Sequence, residues 1–209
     1  MRLRTSAHNS IRLTGSAHTS RSWRIHEIAP DFRLEDVWAL PTPGGPDDFA
    51  RLVALMASSD PARGPSRLAG SLWAIRWKIG ALFGWDGPDA GIDTRVPSLR
   101  DRLPADLREN PGPDFAALPF RSLYLLDGEW AAEIANRTVH GVMHVGWVPD
   151  GTGGYRGQMA VLVKPNGMLG TSYMTAIRPF RDLIVYPALM RGIGRGWRSA
   201  PGESETSPA

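Results

Sequence analysis

Cysteine is absent from all 209 residues. That removes disulfides, thiolate metal sites and cysteine nucleophiles, and it fits a reducing, cytoplasmic setting. Lysine is nearly absent as well: Lys78 and Lys164 stand against 22 arginines. A GC-rich coding sequence accounts for this bias, and a demand for bidentate anion contacts is the alternative. No apolar run reaches the ~18 residues that a spanning helix needs, so no transmembrane segment is expected. The N-terminus has no apolar h-region, so no secretory signal is expected either.

Acid is missing from the first 26 residues, which carry five arginines. The formal net charge of +3 therefore hides a dipole. Residues 27–153 hold 12 basic and 18 acidic side chains, whereas residues 154–198 hold seven basic and one acidic. The body is close to neutral. A nucleic-acid binder carries its basic excess on the folded body, so no nucleic-acid partner is expected.

Composition divides the chain in three. Residues 1–26, rich in Ser, Thr, Arg and His, read as a disordered basic tail. The tail holds a near-repeat, R-L-R-T-S-A-H-N-S and R-L-T-G-S-A-H-T-S. It is too short and polar for a structural repeat, and His8 and His18 within it receive no role. Residues 27–198 form one α+β domain, and residues 199–209 a second disordered tail.

Within the domain, Phe32 and Leu34 alternate with charge and the phase slips at Glu35-Asp36, which predicts a strand with a bulge. Pro46, Asp47 and Asp48 suit the first turn of a helix whose stripe is Phe49, Leu52, Val53 and Met56. A second helix follows, with a stripe of Leu68, Leu72, Ile75, Ile79 and Leu82 beside Trp73 and Trp77. Residues 84–119 are loop chemistry interrupted by a short helix, S-L-R-D-R-L-P-A-D-L-R, and read as a lid or an insertion. Asp127-Gly128 marks a hairpin turn. Strands are predicted over 129–136 and 137–148. In the next strand Tyr155, Met159, Val161 and Val163 share one face, and Arg156, Gln158 and Lys164 the other. A long amphipathic helix runs from about Met168, with Leu169, Tyr173, Ile177, Phe180, Ile184 and Ala188 along one face and Leu183, Tyr186, Met190 and Ile193 widening it. Pro179 and Pro187 each remove a donor and predict kinks. Five strands, with two helices between the first and second, would form an antiparallel sheet wrapped around the long C-terminal helix.

Three groups of side chains stand out. His140 and His144, in H-G-V-M-H, lack the Glu after the first His that a zinc protease helix needs. On a strand they share a face with Thr138 and Asn136, but about 13 Å of rise separates them, too far for one ion. No metal and no cofactor is expected. The row fits the polar lining of an apolar cavity, with one His as acid, base or donor, or else a solvated sheet face or core histidines satisfied by backbone. Arg178 and Arg181 fit an anion clamp or pairing with Asp182, Glu129 or Glu133. Trp73, Trp77 and Trp130 suit a pocket wall or plain packing. G-I-G-R-G-W at 192–197 follows no strand and fails as a dinucleotide fingerprint.

The stretches N-R-T-V-H-G-V-M-H-V-G-W-V, Y-M-T-A-I-R-P-F-R and L-I-V-Y-P-A-L-M, with L-W-A-I-R-W-K-I-G-A-L-F-G-W-D upstream, resemble a bacterial family known as domain of unknown function 2867. The resemblance covers roughly residues 28–198. It implies a fold similar to the helix-grip superfamily of lipid-transfer and polyketide-cyclase proteins, which hold apolar ligands between sheet and long helix. It carries no catalytic residues. Similar domains occur fused behind nucleotide-binding oxidoreductases.

The leading expectation is a domain binding an apolar or amphipathic small molecule between sheet and C-terminal helix. Its candidate contacts are Asn136, His140 and His144 on the strand row, Trp147 and Tyr155 near the last hairpin, and Tyr173, Arg178 and Arg181 on the helix. The alternatives are a cyclase- or hydratase-like enzyme using a histidine in that cavity, and an interaction module with an oxidoreductase partner.

Overall fold

The computed structural model describes residues 11–58, 91–93, 96–116, 118–135, 139–166 and 181–199. In chain order its elements are β1 (Ile11–Leu13), α1 (Ser16–Thr19), α2 (Ile25–Ile28), β2 (Arg33–Ala39) and α3 (Phe49–Ala57). A 3₁₀ turn (Leu99–Arg102) and α4 (Ala105–Arg108) follow, then β3 (Arg121–Leu126), β4 (Glu129–Ala135), β5 (Val139–Pro149) and β6 (Tyr155–Pro165). A π-helical turn (Arg181–Val185) leads into α5 (Tyr186–Ser199).

Valine-rich, alternating segments joined by the Asp127-Gly128 and Gly151–Gly154 turns pair as neighbours, so β3 to β6 form a meander. The open sheet has the order β1-β2-β6-β5-β4-β3 and is antiparallel throughout. The predicted bulge is present. The register slips between Leu34, opposite Leu162, and Asp36, opposite Val161. One extra residue rotates the strand, so Leu34 and Asp36 point to opposite faces. The strand over 129–136 is present as β4, although its alanines and glutamates favour helix. Pairing with β3 and β5 overrides that propensity.

Antiparallel sheets commonly leave one face to water. This one does not. Ten successive residues of β5, 139–148, are buried, so both faces are covered. On one face Trp130, Met143, Val145, Trp147 and Met159 pack against α3 and α5 through Phe49, Leu52, Met56, Tyr186, Met190, Ile193 and Trp197. On the other, Ala131, Val142, Ala160 and Leu162 pack under Ile25, Ile28, Phe32, Leu99, Leu103 and Leu107. Leu99 is fully buried, worth about 2 kcal/mol in apolar area. The short helices within 84–119 therefore serve as a wall over this second face, held by leucines four residues apart.

Two expectations are corrected. Residues 11–26 are not a tail: Ile11–Leu13 add a sixth strand on the edge of β2, and Leu13, Trp23 and Ile25 join the second core. Three apolar residues are too few to show a period, and their partners lie far along the chain. Leu183, placed by its spacing on the buried stripe of the last helix, is 77 % exposed. Pro187 has no N–H for the preceding turn and crowds it. The chain widens there into a π-helical turn, which shifts the register of the stripe. The helix of Leu68–Leu82, with Trp73 and Trp77, lies outside the described residues, as does the C-terminal helix before Arg181.

Candidate functional site

Period two places Glu129 and Glu133 of β4 on one face of the sheet. The β4–β5 register sets Ala131 opposite His144 and Ala135 opposite His140, so both histidines share that face. Each glutamate meets one histidine. His144 Nε2 lies 3.0 Å from Glu129 Oε1, and His140 Nε2 lies 2.9 Å from Glu133 Oε2. Glu133 and His144 are fully buried, and Glu129 and His140 nearly so.

Buried carboxylates persist when donors surround them, and these two are surrounded. Glu129 accepts from Tyr124 Oη at 2.5 Å, and from the backbone N–H groups of Arg24 and Ile25 at 3.0 and 3.1 Å. The two amides are orphan donors at the start of α2. Glu133 does the same for the 3₁₀ turn, accepting from Ser98 Oγ at 2.5 Å and Leu99 N at 3.0 Å. Burial is the largest single influence on both carboxyls and pushes them up. The donors together outweigh it and hold both below the usual glutamate range. Burial and the charge of Glu129 push the Tyr124 hydroxyl far above its ordinary value.

From Glu129 a line of imidazoles runs outward. His144 Nδ1 is 3.1 Å from His18 Nε2, and His18 Nδ1 is 3.2 Å from His26 Nε2. The rings meet edge to face, with centroids 4.8 and 4.9 Å apart. His18 is buried and His26 half-buried. Burial, then the neighbouring His144 and His26, lowers the His18 pKa to about 3. Burial likewise lowers His144 despite its carboxylate partner. Trp23 closes the site by lying on Gly146, where a Cβ would come within 2.5 Å of the indole. Among the described residues no group of three or more His, Asp or Glu is arranged to hold a metal ion.

The other face carries a second polar cluster. The bulge turns Asp36 toward α5, where it is buried. Arg12 donates to its Oδ1 at 2.5 Å and Tyr186 Oη to its Oδ2 at 2.9 Å. Arg181 Nη2 stands 2.8 Å from Oδ2 as an ion contact outside hydrogen-bond alignment. Two buried donors make no hydrogen bond here, Trp38 Nε1 and Arg181 Nε, the latter 3.9 Å from Asp182 Oδ1 as an ion contact. Both side chains lean on Tyr186, the Trp38 ring at 4.8 Å and the Arg181 guanidinium carbon at 5.8 Å from its centroid. Burial, followed by the charge of Asp36, raises the Tyr186 pKa far above its ordinary value.

The sequence-derived candidates thus separate. His140 and His144 lie opposite the C-terminal helix, and Arg181, Trp147 and Tyr155 lie on its side. No one cavity between sheet and helix holds both sets, because adjacent strand positions face opposite ways. Trp147 spends its indole N–H on Gly45 O at 3.0 Å and packs between Phe49 and Trp197. Trp130 stacks on Phe115 at 4.7 Å. Asn136, Tyr173 and Arg178 lie outside the described residues. A pocket of about 470 Å³ lined by Arg100, Asp101, Leu103, Arg108, Pro111 and Leu123 is half charged, unlike the apolar cavity expected. Sequence reasoning missed His18, His26 and the partner role of the glutamates. One signal was available: two acids at strand spacing, facing two histidines across a hairpin, in otherwise apolar segments.

No curated protein and no solved structure matches the chain. A family model matches residues 28–188, which takes in both glutamate–histidine pairs and Asp36 and leaves His18 and His26 upstream. On that match the chain belongs to the family described as Protein of unknown function (DUF2867).

Proposed function

We propose that the protein binds a small amphipathic molecule on the α5 side of the sheet, with Trp38 Nε1 and Arg181 Nε donating to its polar end. The observation that carries this reading is the pair of buried donors beside Tyr186 that make no hydrogen bond. Buried donors are almost always paired in folded proteins, and each orphan costs about 1–3 kcal/mol. Two together describe a receptor for an oxygen acceptor. Asp36 already offsets the guanidinium, so a carbonyl or hydroxyl suits the place better than a free carboxylate. Tyr186, Trp38 and Val161 supply the apolar wall. A cyclase- or hydratase-like reaction in this same place would need a histidine there, and the two β5 histidines face away.

Native mass spectrometry of protein purified from its own host tests the proposal, together with tryptophan-fluorescence titration by long-chain alcohols, amides and fatty acids. The expected result is a defined adduct, with affinity falling up to about tenfold in Trp38→Phe and further in Arg181→Met. A clean apo mass and flat titrations would overturn it.

A second reading, an interaction module beside an oxidoreductase partner, rests on the exposed Leu183 and Ile11. The segments carrying them are tied by the Arg12–Asp182 contact at 3.2 Å. Loss of co-purification with that partner in Leu183→Asp is its test; unchanged co-purification would sink it.

A further inference from the structure

The histidine line on the opposite face has a defined direction. An ionised carboxylate can only accept hydrogen bonds, and a neutral imidazole has one donor and one acceptor nitrogen. Glu129 therefore requires the hydrogen of His144 on Nε2, which leaves its Nδ1 as a lone pair. His18 Nε2, 3.1 Å from that lone pair, must carry its own hydrogen and present Nδ1 as acceptor. The same step at 3.2 Å puts the His26 hydrogen on Nε2. Three rings are thus held in one tautomer by one buried carboxylate, and the lone pair left over is that of Nδ1 on the half-buried His26.

We propose that His26 Nδ1 is a general-base site for small hydroxyl-bearing molecules, water included, with His18, His144 and Glu129 as positioning residues. The hydroxyl proton moves to Nδ1 and the oxygen electron pair attacks an acyl carbon. The leaving group departs with its own bonding pair, and the imidazolium then returns its proton to that group or to solvent. Burial disfavours charge on the two inner rings, His18 and His144. The titratable or charged groups around the line are Tyr124 of β3, Glu129 of β4, His144 of β5, His18 of α1, and Arg24 and Glu27 at α2. Asp106 of α4 holds Arg24 at 2.7 Å, and Arg21 lies over Trp23. The arrangement follows the logic of a nucleophile or base oriented by a second group, here through two intervening rings.

Two measurements test it on the full chain. Long-range ¹⁵N–¹H NMR should show the hydrogen of the neutral rings of His26, His18 and His144 on Nε2. An Nδ1–H form at His26, or a mixture of both tautomers, would overturn the proposal whatever the variants do. Hydrolysis of p-nitrophenyl acetate should fall at least tenfold in His26→Gln, and its pH profile should follow the titration of His26 read by the same NMR. A rate unchanged in His26→Gln would overturn it. His18→Phe should slow hydrolysis and release His26 into a tautomer mixture, which a merely structural His18 would not do.

Discussion

Acidification from pH 7 to pH 5 charges a histidine in the unfolded chain but not His18 in the folded one. The ordinary histidine value is 6.5, and burial lowers His18 to about 3. Below 6.5 the unfolded state binds a proton that the folded state refuses, so stability falls as pH falls, and continues to fall until about pH 3. Each unit inside that window costs about 1.4 kcal/mol, so His18 alone removes about 2 kcal/mol between pH 7 and pH 5. His144 is lowered too and acts in the same direction. Glu129 and Glu133, held below the ordinary glutamate value of 4.5, also cost stability in acid, but only below about that pH. Onset therefore separates the causes: carboxylates alone would leave the protein equally stable at pH 7 and pH 5. Urea unfolding at the two pH values should show the midpoint drop by roughly 1 M, taking a slope of about 2 kcal/mol/M. His18→Gln, which does not titrate, should show a smaller drop. Coincident wild-type midpoints at pH 7 and pH 5 would refute the assignment of neutral, buried imidazoles.

Two further substitutions probe the same face. Gly146→Ala places a methyl group 2.5 Å from the Trp23 ring, so it should cost about 1–3 kcal/mol and shift the Trp23 emission to the red; an unchanged melting temperature would contradict the packing. Glu133→Ala strands His140 Nε2, Ser98 Oγ and the Leu99 N–H, and should cost about 3 kcal/mol in urea unfolding. A loss below about 1 kcal/mol would mean that water replaces the carboxylate.

Local chemistry was legible wherever the pattern was local. Alternation in Tyr155–Pro165, the Asp127-Gly128 turn, the α3 stripe and the phase slip at Glu35-Asp36 all reached the structure intact. The kink expected at Pro187 appears as the π-helical turn before it. What failed was everything decided by partners far along the chain. His18 looked like tail chemistry because its burial comes from His144, 126 residues away. Alternation in β6 set Arg156, Gln158 and Lys164 on one face, yet Gln158, Ala160 and Leu162 of that face are buried by helices that a strand pattern cannot announce.

The sequence by itself determined a cysteine-free α+β chain, the strands of the meander, the shared face of His140 and His144, and the family. It did so because period, turn residues and family words are properties of neighbouring positions. Only the tertiary structure decided which layer covers each face, that Glu129 terminates a line of three imidazoles, and that Asp36 rather than Glu129 or Glu133 meets Arg181. The His18–His144 and Arg181–Asp36 contacts follow from strand register and layer order, which bring side chains more than a hundred residues apart together and leave no local trace.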